Sequence, residues 1–470
     1  MLPKFFKGIN NESGFDKKLL KEYFKNQKGS SKKIFCKAPL VSMDFATNGM
    51  VIPCCLNHSY IYGKYPEDSL HEIWFGDKVK IFRKKLSEMD LSQGCFLCEQ
   101  DLLKKNFDLI YSKTYSYFQE NVNSNYPLNM GFALDNTCNL SCQMCSGENS
   151  STYRYEIEHR APYTNPYDSN FVLQLEEFIP HLQKVVFAGG EPFLINVYYE
   201  IWERIIAINP EIEIVICTNG TILNQKIKDL MEKGVFYFAI SMDSLNKENF
   251  EKIRVKANFE KFMENLNYFH EYSKRNNRWM TLSVCPMQQN WHEIPDLVKK
   301  TNEMQINIFF NNVYFPPHCS LRSLNHIELE EIIIYYNSQL LTLKPFNENS
   351  TQNIKLFVNL INSLQVWKGE AVNMAAKEII VDLNQNKEFF YKYVENVINE
   401  KKHLSEIEKK EKILQHIKTC QQIFMSFEGK EDILSKSLVN LKTIPKDVLY
   451  AELEFSNLEV LISRFMQAGI

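Results

Sequence analysis

The sequence predicts an α/β fold: an open, partial (β/α)6 barrel in the middle of the chain, between a cysteine-rich N-terminal part and a mostly helical C-terminal part. Three observations predict it. Six short apolar runs between residues 131 and 316 end in polar or glycine-bearing turns. Helical patterns, with apolar residues at three- and four-residue steps, separate most of these runs. The distinctive residues gather where the runs end, and in parallel α/β folds that end carries the chemistry.

The elements follow in order. Residues 1–35 form an N-terminal segment with no apolar run that would serve as a signal peptide. Residues 36–115 hold Cys36, Cys54, Cys55, Cys95 and Cys98. The barrel is expected over 116–325, with strands in GFALDNT (131–137), KVVFAGGEP (184–192), EIVICTNGT (213–221), FYFAISMDS (236–244), MTLSVCPMQ (280–288) and INIFFNNVYFP (306–316). NVYYEIWERIIAI (196–208) and NFEKFMENLNYFHEYSKR (258–275) read as helices between strands. Strand and helix in alternation imply a parallel sheet buried on both sides. Six strands are too few for a closed eight-fold barrel, hence the partial one. Residues 326–470 read as amphipathic helices without a chemical motif, the expectation being a helical cap. Polar stretches at 26–33, 121–127 and 345–353 are expected linkers.

Composition excludes several classes. Lys and Arg number 54 and Asp and Glu 57, a net charge of −3, with the two signs interleaved. No basic stripe argues for nucleic acid, and no run reaches the length of a membrane span. A soluble, cytoplasmic protein is expected. Twelve cysteines in such a chain, most of them clustered, point to metal ligation rather than disulfides.

The most informative stretch is DNTCNLSCQMCSGE, residues 135–148, with Cys138, Cys142 and Cys145 spaced CxxxCxxC. Three close thiolates suit an iron–sulfur cluster with one iron lacking a protein ligand, and an open metal position keeps a place for substrate or cofactor. The alternative is a zinc knuckle whose fourth ligand lies elsewhere. GGEP at the end of the next strand weighs against zinc. Gly189 and Gly190 allow backbone to approach a ligand closely. Glu191 and nearby carbonyls offer acceptors for an ammonium group.

On these residues the sequence resembles the radical S-adenosylmethionine (SAM) enzymes, whose barrel is TIM-like. The resemblance implies that Cys138, Cys142 and Cys145 ligate a SAM-binding four-iron, four-sulfur cluster. It also implies reductive cleavage of SAM to a 5′-deoxyadenosyl radical that abstracts a substrate hydrogen atom. Gly189, Gly190, Glu191 and Pro192 match the element that holds the methionine amine of SAM. Ser241 and Asp243 match fourth-strand residues that meet its ribose or carboxylate, and Arg254 matches a SAM- or substrate-contacting arginine. The residue before the last motif cysteine is commonly aromatic in the family and is Met144 here. An electron donor such as flavodoxin or ferredoxin is the implied partner.

The N-terminal cysteines extend the resemblance. Cys36, Gly49 and Cys54 fall in the pattern C-x12-G-x4-C, followed by GCFLCEQ with Cys95 and Cys98. This looks like a SPASM/twitch auxiliary-cluster domain placed before the barrel. It implies one auxiliary four-iron cluster on Cys36, Cys54, Cys95 and Cys98, with Cys55 able by spacing to replace Cys54. A four-cysteine zinc site also fits the spacing. Together the resembling motifs span roughly residues 30 to 325.

Other residues read more plainly. His58 is expected at the surface, Cys217 and Cys285 as core thiols, and 399–412 as a solvated helix face. Cys319, after the sixth run, is a candidate hydrogen-atom donor to a substrate radical, against the reading of a packed core thiol. The resemblance favours a peptide or protein substrate undergoing oxidation, cross-linking or epimerisation. Dehydrogenation of a carbohydrate or cyclitol alcohol is the alternative, and a non-catalytic iron–sulfur protein the third.

Overall fold

The structure, a computed structural model, describes residues 17–25, 34–103, 105, 107, 110–118, 125–371, 383–401, 404–442, 444 and 446–469. The expected linker at 26–33 and most of that at 121–127 lie outside the described residues. The chain packs as two compact units. The first comprises residues up to 136, 163–216 and 224–236, and the second 137–162, 217–223 and 237 onward.

In the first unit the strands are β1 (Ser42–Phe45), β2 (Met50–Ile52), β3 (Gly63–Lys64), β4 (Asn129–Phe132), β5 (Lys184–Phe187) and β6 (Glu213–Thr218). Their spatial order is β3-β2-β1-β4-β5-β6. The cysteine-rich part thus adds strands to the sheet: β1 runs parallel to β4, with Ser42 opposite Asn129, and β2 returns antiparallel to β1. Phe45, Phe132 and Phe187 occupy one register level on β1, β4 and β5. Their rings stack with centroids 5.4 and 4.9 Å apart. Each such pair adds ~0.5–1.5 kcal/mol beyond the area it buries, so the ladder fastens the N-terminal hairpin to the sheet. The β1–β2 turn needs Gly49: its φ is +84°, and a Cβ there would lie 2.2 Å from the Tyr65 carbonyl.

The second unit carries β7 (Val235–Ser241), β8 (Met280–Val284) and β9 (Asn307–Phe310), with β7 and β9 each parallel to β8. Strands β4 to β9 are the six that the apolar runs predict. One expectation changes. Along β7 and β8 buried residues alternate with half-buried ones, so only one face is fully covered. Phe236, Phe238 and Ile240 are buried, while Val235, Tyr237, Ala239 and Ser241 stay partly accessible. An open barrel leaves its inner face free in this way, whereas a doubly covered sheet would not.

The helices form where the periodicity places them. Asn196–Ile208 buries Val197, Tyr198, Ile201, Trp202 and Ile205. Phe259–Arg275 starts at Asn258, whose side chain accepts the N–H of Lys261. C-terminally the described residues form helices His326–Leu340, Glu348–Ala371, Leu383–Asn399, Glu406–Met425, Glu431–Leu441, Lys446–Phe455 and Leu458–Gly469. The expected linker at 345–353 is a correction: it is mostly the start of the helix Glu348–Ala371. Its turn formers cap rather than separate, since Asn347 accepts the N–H of Ser350 at 2.7 Å. No helix among the described residues is long and apolar enough to cross a membrane.

Candidate functional site

Four of the five N-terminal cysteines line one cavity. Cys36 precedes the short helix Ala38–Val41, Cys54 follows β2, and Cys95 and Cys98 lie at the start of the helix Phe96–Leu103. All four line the cavity, together with Asn57, Tyr111 and Tyr115 among others. Cys55 does not: it is exposed and donates to the Tyr111 hydroxyl at 2.9 Å. The cavity therefore favours Cys54 over Cys55, a choice that spacing leaves open.

Asn57, buried and absent from any motif, joins the two cysteine segments. Its amide donates to the Gln93 carbonyl at 2.7 Å and stands 3.9 Å from Cys95 Sγ. Its carbonyl oxygen accepts the N–H groups of Ser59 and Tyr60. His58 is exposed, its ring beside the Cys55 carbonyl. Burial raises all four cavity thiols, Cys95 to about 12 and Cys98 to about 11. They hold their protons at neutral pH until a metal displaces them, and this couples loading to proton release. Among the described residues no three His, Cys, Asp or Glu side chains converge tightly enough to hold a single ion. Four thiols ranged around a cavity suit a ligand of cluster size.

Cys138, Cys142 and Cys145 share one loop of the second unit. The loop is held by its own backbone and by neighbours. The Cys145 N–H donates to the Cys142 carbonyl at 3.0 Å, and the Gln143 N–H to the Ile253 carbonyl at 2.9 Å. Thr152 donates to the Cys138 carbonyl at 2.6 Å, and Ser150 to that of Leu140 at 2.6 Å. Asn219, from the TNG turn, places its amide 3.8 Å from Cys138 Sγ and 3.0 Å from Asn139 Oδ1. Arg254 stands 4.0 Å from Cys142 Sγ. Burial lifts Cys142 to about 11, with Arg254 pulling the other way, and lifts Cys145 well above the ordinary range. Three thiols on one turn, two of them with an N–H donor facing the sulfur, are a donor set that fits a site-differentiated cluster.

Asp243 and Arg254 are brought together. Both are buried, and the guanidinium lies 2.7 Å from Asp243 Oδ2. Asp243 Oδ1 accepts the Cys285 N–H at 2.7 Å. The resemblance implies that Asp243 meets SAM and that Arg254 meets SAM or substrate; in the structure the two form an ion pair beside Cys142. Ser241 is half-buried at the end of β7.

In the first unit, Gly189 has φ +109°, and a Cβ there would meet the Asp135 carbonyl at 2.6 Å. Only glycine fits that turn. The same carbonyl accepts the Gly190 N–H at 2.9 Å. Tyr198 secures the turn: its hydroxyl lies between the carbonyls of Phe132 and Ala188, 3.0 and 2.8 Å away, and accepts the Leu134 N–H. Glu191 is fully buried and caps the following turn by accepting the Phe193 N–H, with Pro192 in first place. No motif points to Tyr198 or Asn57, whereas Asn219 belongs to the TNG turn that closes the third apolar run.

Cys319 is fully buried against Ile253 and Met287, with Met144, Cys285 and Val313 packed beside them. Burial pushes its thiol to about 12. Cys285 belongs to this packing, and Cys217 is half-buried on β6.

Residues 134–301 match the model of the radical SAM superfamily, and residues 36–99 that of the SPASM iron–sulfur cluster-binding domain. Among curated relatives, a GTP 3′,8-cyclase of Listeria welshimeri serovar 6b is 32% identical over 175 residues, which is 37% of this chain and 50% of that one. One of Helicobacter pylori is 26% identical over 211 residues, covering 44% and 63%. The chain thus spans about half the length of the first of these relatives. Among solved structures, anSMEcpe with bound AdoMet aligns at TM-score 0.35 and 16% identity, covering 46% of this chain and 62% of that one. Streptococcus suis SuiB bound to the precursor peptide SuiA aligns at 0.33 and 14%, covering 57% and 60%. The chain carries a radical SAM domain over residues 134–301, with a SPASM domain N-terminal to it over residues 36–99.

Proposed function

We propose that this protein cleaves SAM reductively and uses the 5′-deoxyadenosyl radical to take a hydrogen atom from a peptide or protein, in an oxidation, cross-linking or epimerisation. The observation that carries the reading is the loop of Cys138, Cys142 and Cys145, where Asn219 and Arg254 direct N–H donors at two of the three sulfurs. When bound there, a four-iron cluster supplies an electron and an open iron for SAM.

The chain's own residues do the rest. The turn at Gly189 and Gly190 holds backbone close, as a site for the methionine part of SAM requires, and Ser241 offers a partly accessible hydroxyl at the end of β7. Asp243 and Arg254 act as a pair on Cys142. Cys36, Cys54, Cys95 and Cys98 hold a single auxiliary cluster in the cavity they line. Cys319, kept protonated by burial, retains the S–H that a hydrogen-atom donor needs. The auxiliary cluster supports the peptide class, since in enzymes of the resembling type it accompanies peptide maturation, and it equally accompanies oxidation of sugars or cyclitols, the alternative class. The substrate in the curated relatives' name stays with those proteins.

The test is anaerobic incubation of iron-reconstituted protein with SAM, a low-potential reductant and candidate peptides, read by mass spectrometry. The expected products are 5′-deoxyadenosine, methionine and a peptide changed in mass or stereochemistry. A Cys142→Ala protein that still makes 5′-deoxyadenosine sinks the reading. Turnover of cyclitols but of no peptide moves the substrate to the alternative class.

A further inference from the structure

The C-terminal helix Leu458–Gly469 lies outside both matched stretches, 36–99 and 134–301. Three of its side chains nevertheless reach the loop of the three thiols or the segment that follows it. Gln467, fully buried, donates its amide to the backbone carbonyl of Cys145. Ser463, also fully buried, donates to Glu158 Oε1, and that same oxygen accepts the Gly147 N–H at 2.8 Å. Glu459 accepts from Arg154 at 3.2 Å and from Arg160 at 2.8 Å, and Arg160 turns back to Glu158 at 3.1 Å. Residues 459, 463 and 467 are four apart, so they form one stripe along the helix.

The rest of the helix is anchored elsewhere. Ser437 donates to the Phe465 carbonyl at 2.6 Å and Asn440 to the Ala468 carbonyl at 2.7 Å, both from the helix Glu431–Leu441. Phe465 packs its ring on Phe390 and Phe424 at 5.6 and 6.2 Å. Burying Ser463 and Gln467 on this helix, and Glu158 against it, is tolerated only when each is partnered. Here the partners are backbone groups at Cys145 and at Gly147, two residues on.

We propose that the C-terminal helix is a positioning element for the cluster loop: Gln467 and the Ser463–Glu158 pair fix the backbone at Cys145 and Gly147. The helical C-terminal region is thereby coupled to the place where SAM would bind. This inference rests on the assignment of Cys145 as a cluster ligand. Gln467 touches no reacting atom; it acts through the loop.

The test uses the full chain with Gln467→Met, close in length but without the donor, and separately Ser463→Ala. Two quantities are read: amide exchange in peptides covering residues 139–150 of the iron-free protein, and release of iron from the three-cysteine site to a chelator, followed by electron paramagnetic resonance. Both rates should rise about fivefold, the factor that one buried hydrogen bond of ~1 kcal/mol supplies. Release from the four-cysteine site should not change. Unchanged exchange and iron release in both variants, at an unchanged melting temperature, overturn the proposal. If Gln467→Met melts the whole chain, Ser463→Ala gives the same two readings with a smaller change of shape. A Cys145→Ala control separates the two failures: iron retained there would refute the ligand assignment, while exchange in iron-free protein would still judge the helix.

Discussion

Replacing Arg254 should lower the reduction potential of the SAM cluster, and replacing Asp243 should raise it. The guanidinium stands 4.0 Å from Cys142 Sγ and 2.7 Å from Asp243. At Cys142 its effect outweighs that of the carboxylate. A unit charge at that distance is worth about 4 kcal/mol at an effective dielectric constant of ~20. That is about three powers of ten in an equilibrium constant, or roughly 180 mV for one electron. The carboxylate cancels much of this, so Arg254→Met should shift the midpoint down by tens of millivolts. Burial already raises Asp243, which would take up a proton once the cation is gone, so the variant removes the dipole without stranding a charge. Asp243→Asn removes the anion and leaves the cation, and should move the midpoint upward. The assay is a redox titration followed by electron paramagnetic resonance, with the auxiliary cluster as internal standard. General loosening of the site would move both variants the same way. Shifts of the same sign, or none beyond roughly 10 mV, would refute the electrostatic argument.

The other predictions are independent of that pair. Cys54→Ala should lose the auxiliary cluster and its share of iron, whereas Cys55→Ala should keep it, because only Cys54 lines the cavity; equal loss in both would reopen the assignment. Glu454 feels burial pushing it up, but His416 and Lys412 outweigh that and hold it at about 2 against an ordinary 4.5. Its contribution is full above pH 4.5 and is lost as the pH falls toward 2, so Glu454→Gln should cost about 1–2 kcal/mol at neutral pH once solvent screening is taken into account, with a gap that closes over that acid window in iron-free protein; a gap independent of pH counts against it. Cys319→Ala, run with the true substrate in deuterated water, should still cleave SAM but fail to deliver a hydrogen atom to an epimerised product. Unchanged turnover would assign Cys319 to packing with Ile253 and Met287.

How much of this was legible in the sequence depends on how local each feature is. The six strands of the barrel announce themselves because each is an apolar run closed by a turn. The three N-terminal strands do not: β2 and β3 are only three and two residues long, and β1 carries Ser42 and Asp44 within its four residues. They exist because Phe45 meets Phe132 across a register that joins distant parts of the chain. The same contrast holds at the metal sites. Cysteines that sit close together on the chain, CxxxCxxC and C-x-x-C, are visible as spacing. The residues that fix those ligands are single polar side chains far away. Asn57 is 38 residues from Cys95, Asn219 is 81 from Cys138, and Gln467 is 322 from Cys145. Asn57 does follow the Cys54–Cys55 pair and Asn219 does sit in the turn that closes the third run, but nothing around Gln467 marks it.

A signal for the last of these does exist, but only the fold makes it readable. Glu459, Ser463 and Gln467 interrupt LEVLISRFMQAG at steps of four, which on the sequence alone is the solvent face of an amphipathic helix. Ser463 and Gln467 are instead fully buried, and the polar stripe is turned toward Glu158 and Cys145. Periodicity identifies which residues share a face; it does not say which face is wet. In a helix polar on one side and apolar on the other, both sides are buried when the polar side finds backbone to bind. Here the backbone it finds belongs to Cys145, the proposed cluster ligand. That gives the chemistry-poor C-terminal region a reason for its polar residues that the solvent-face reading does not supply.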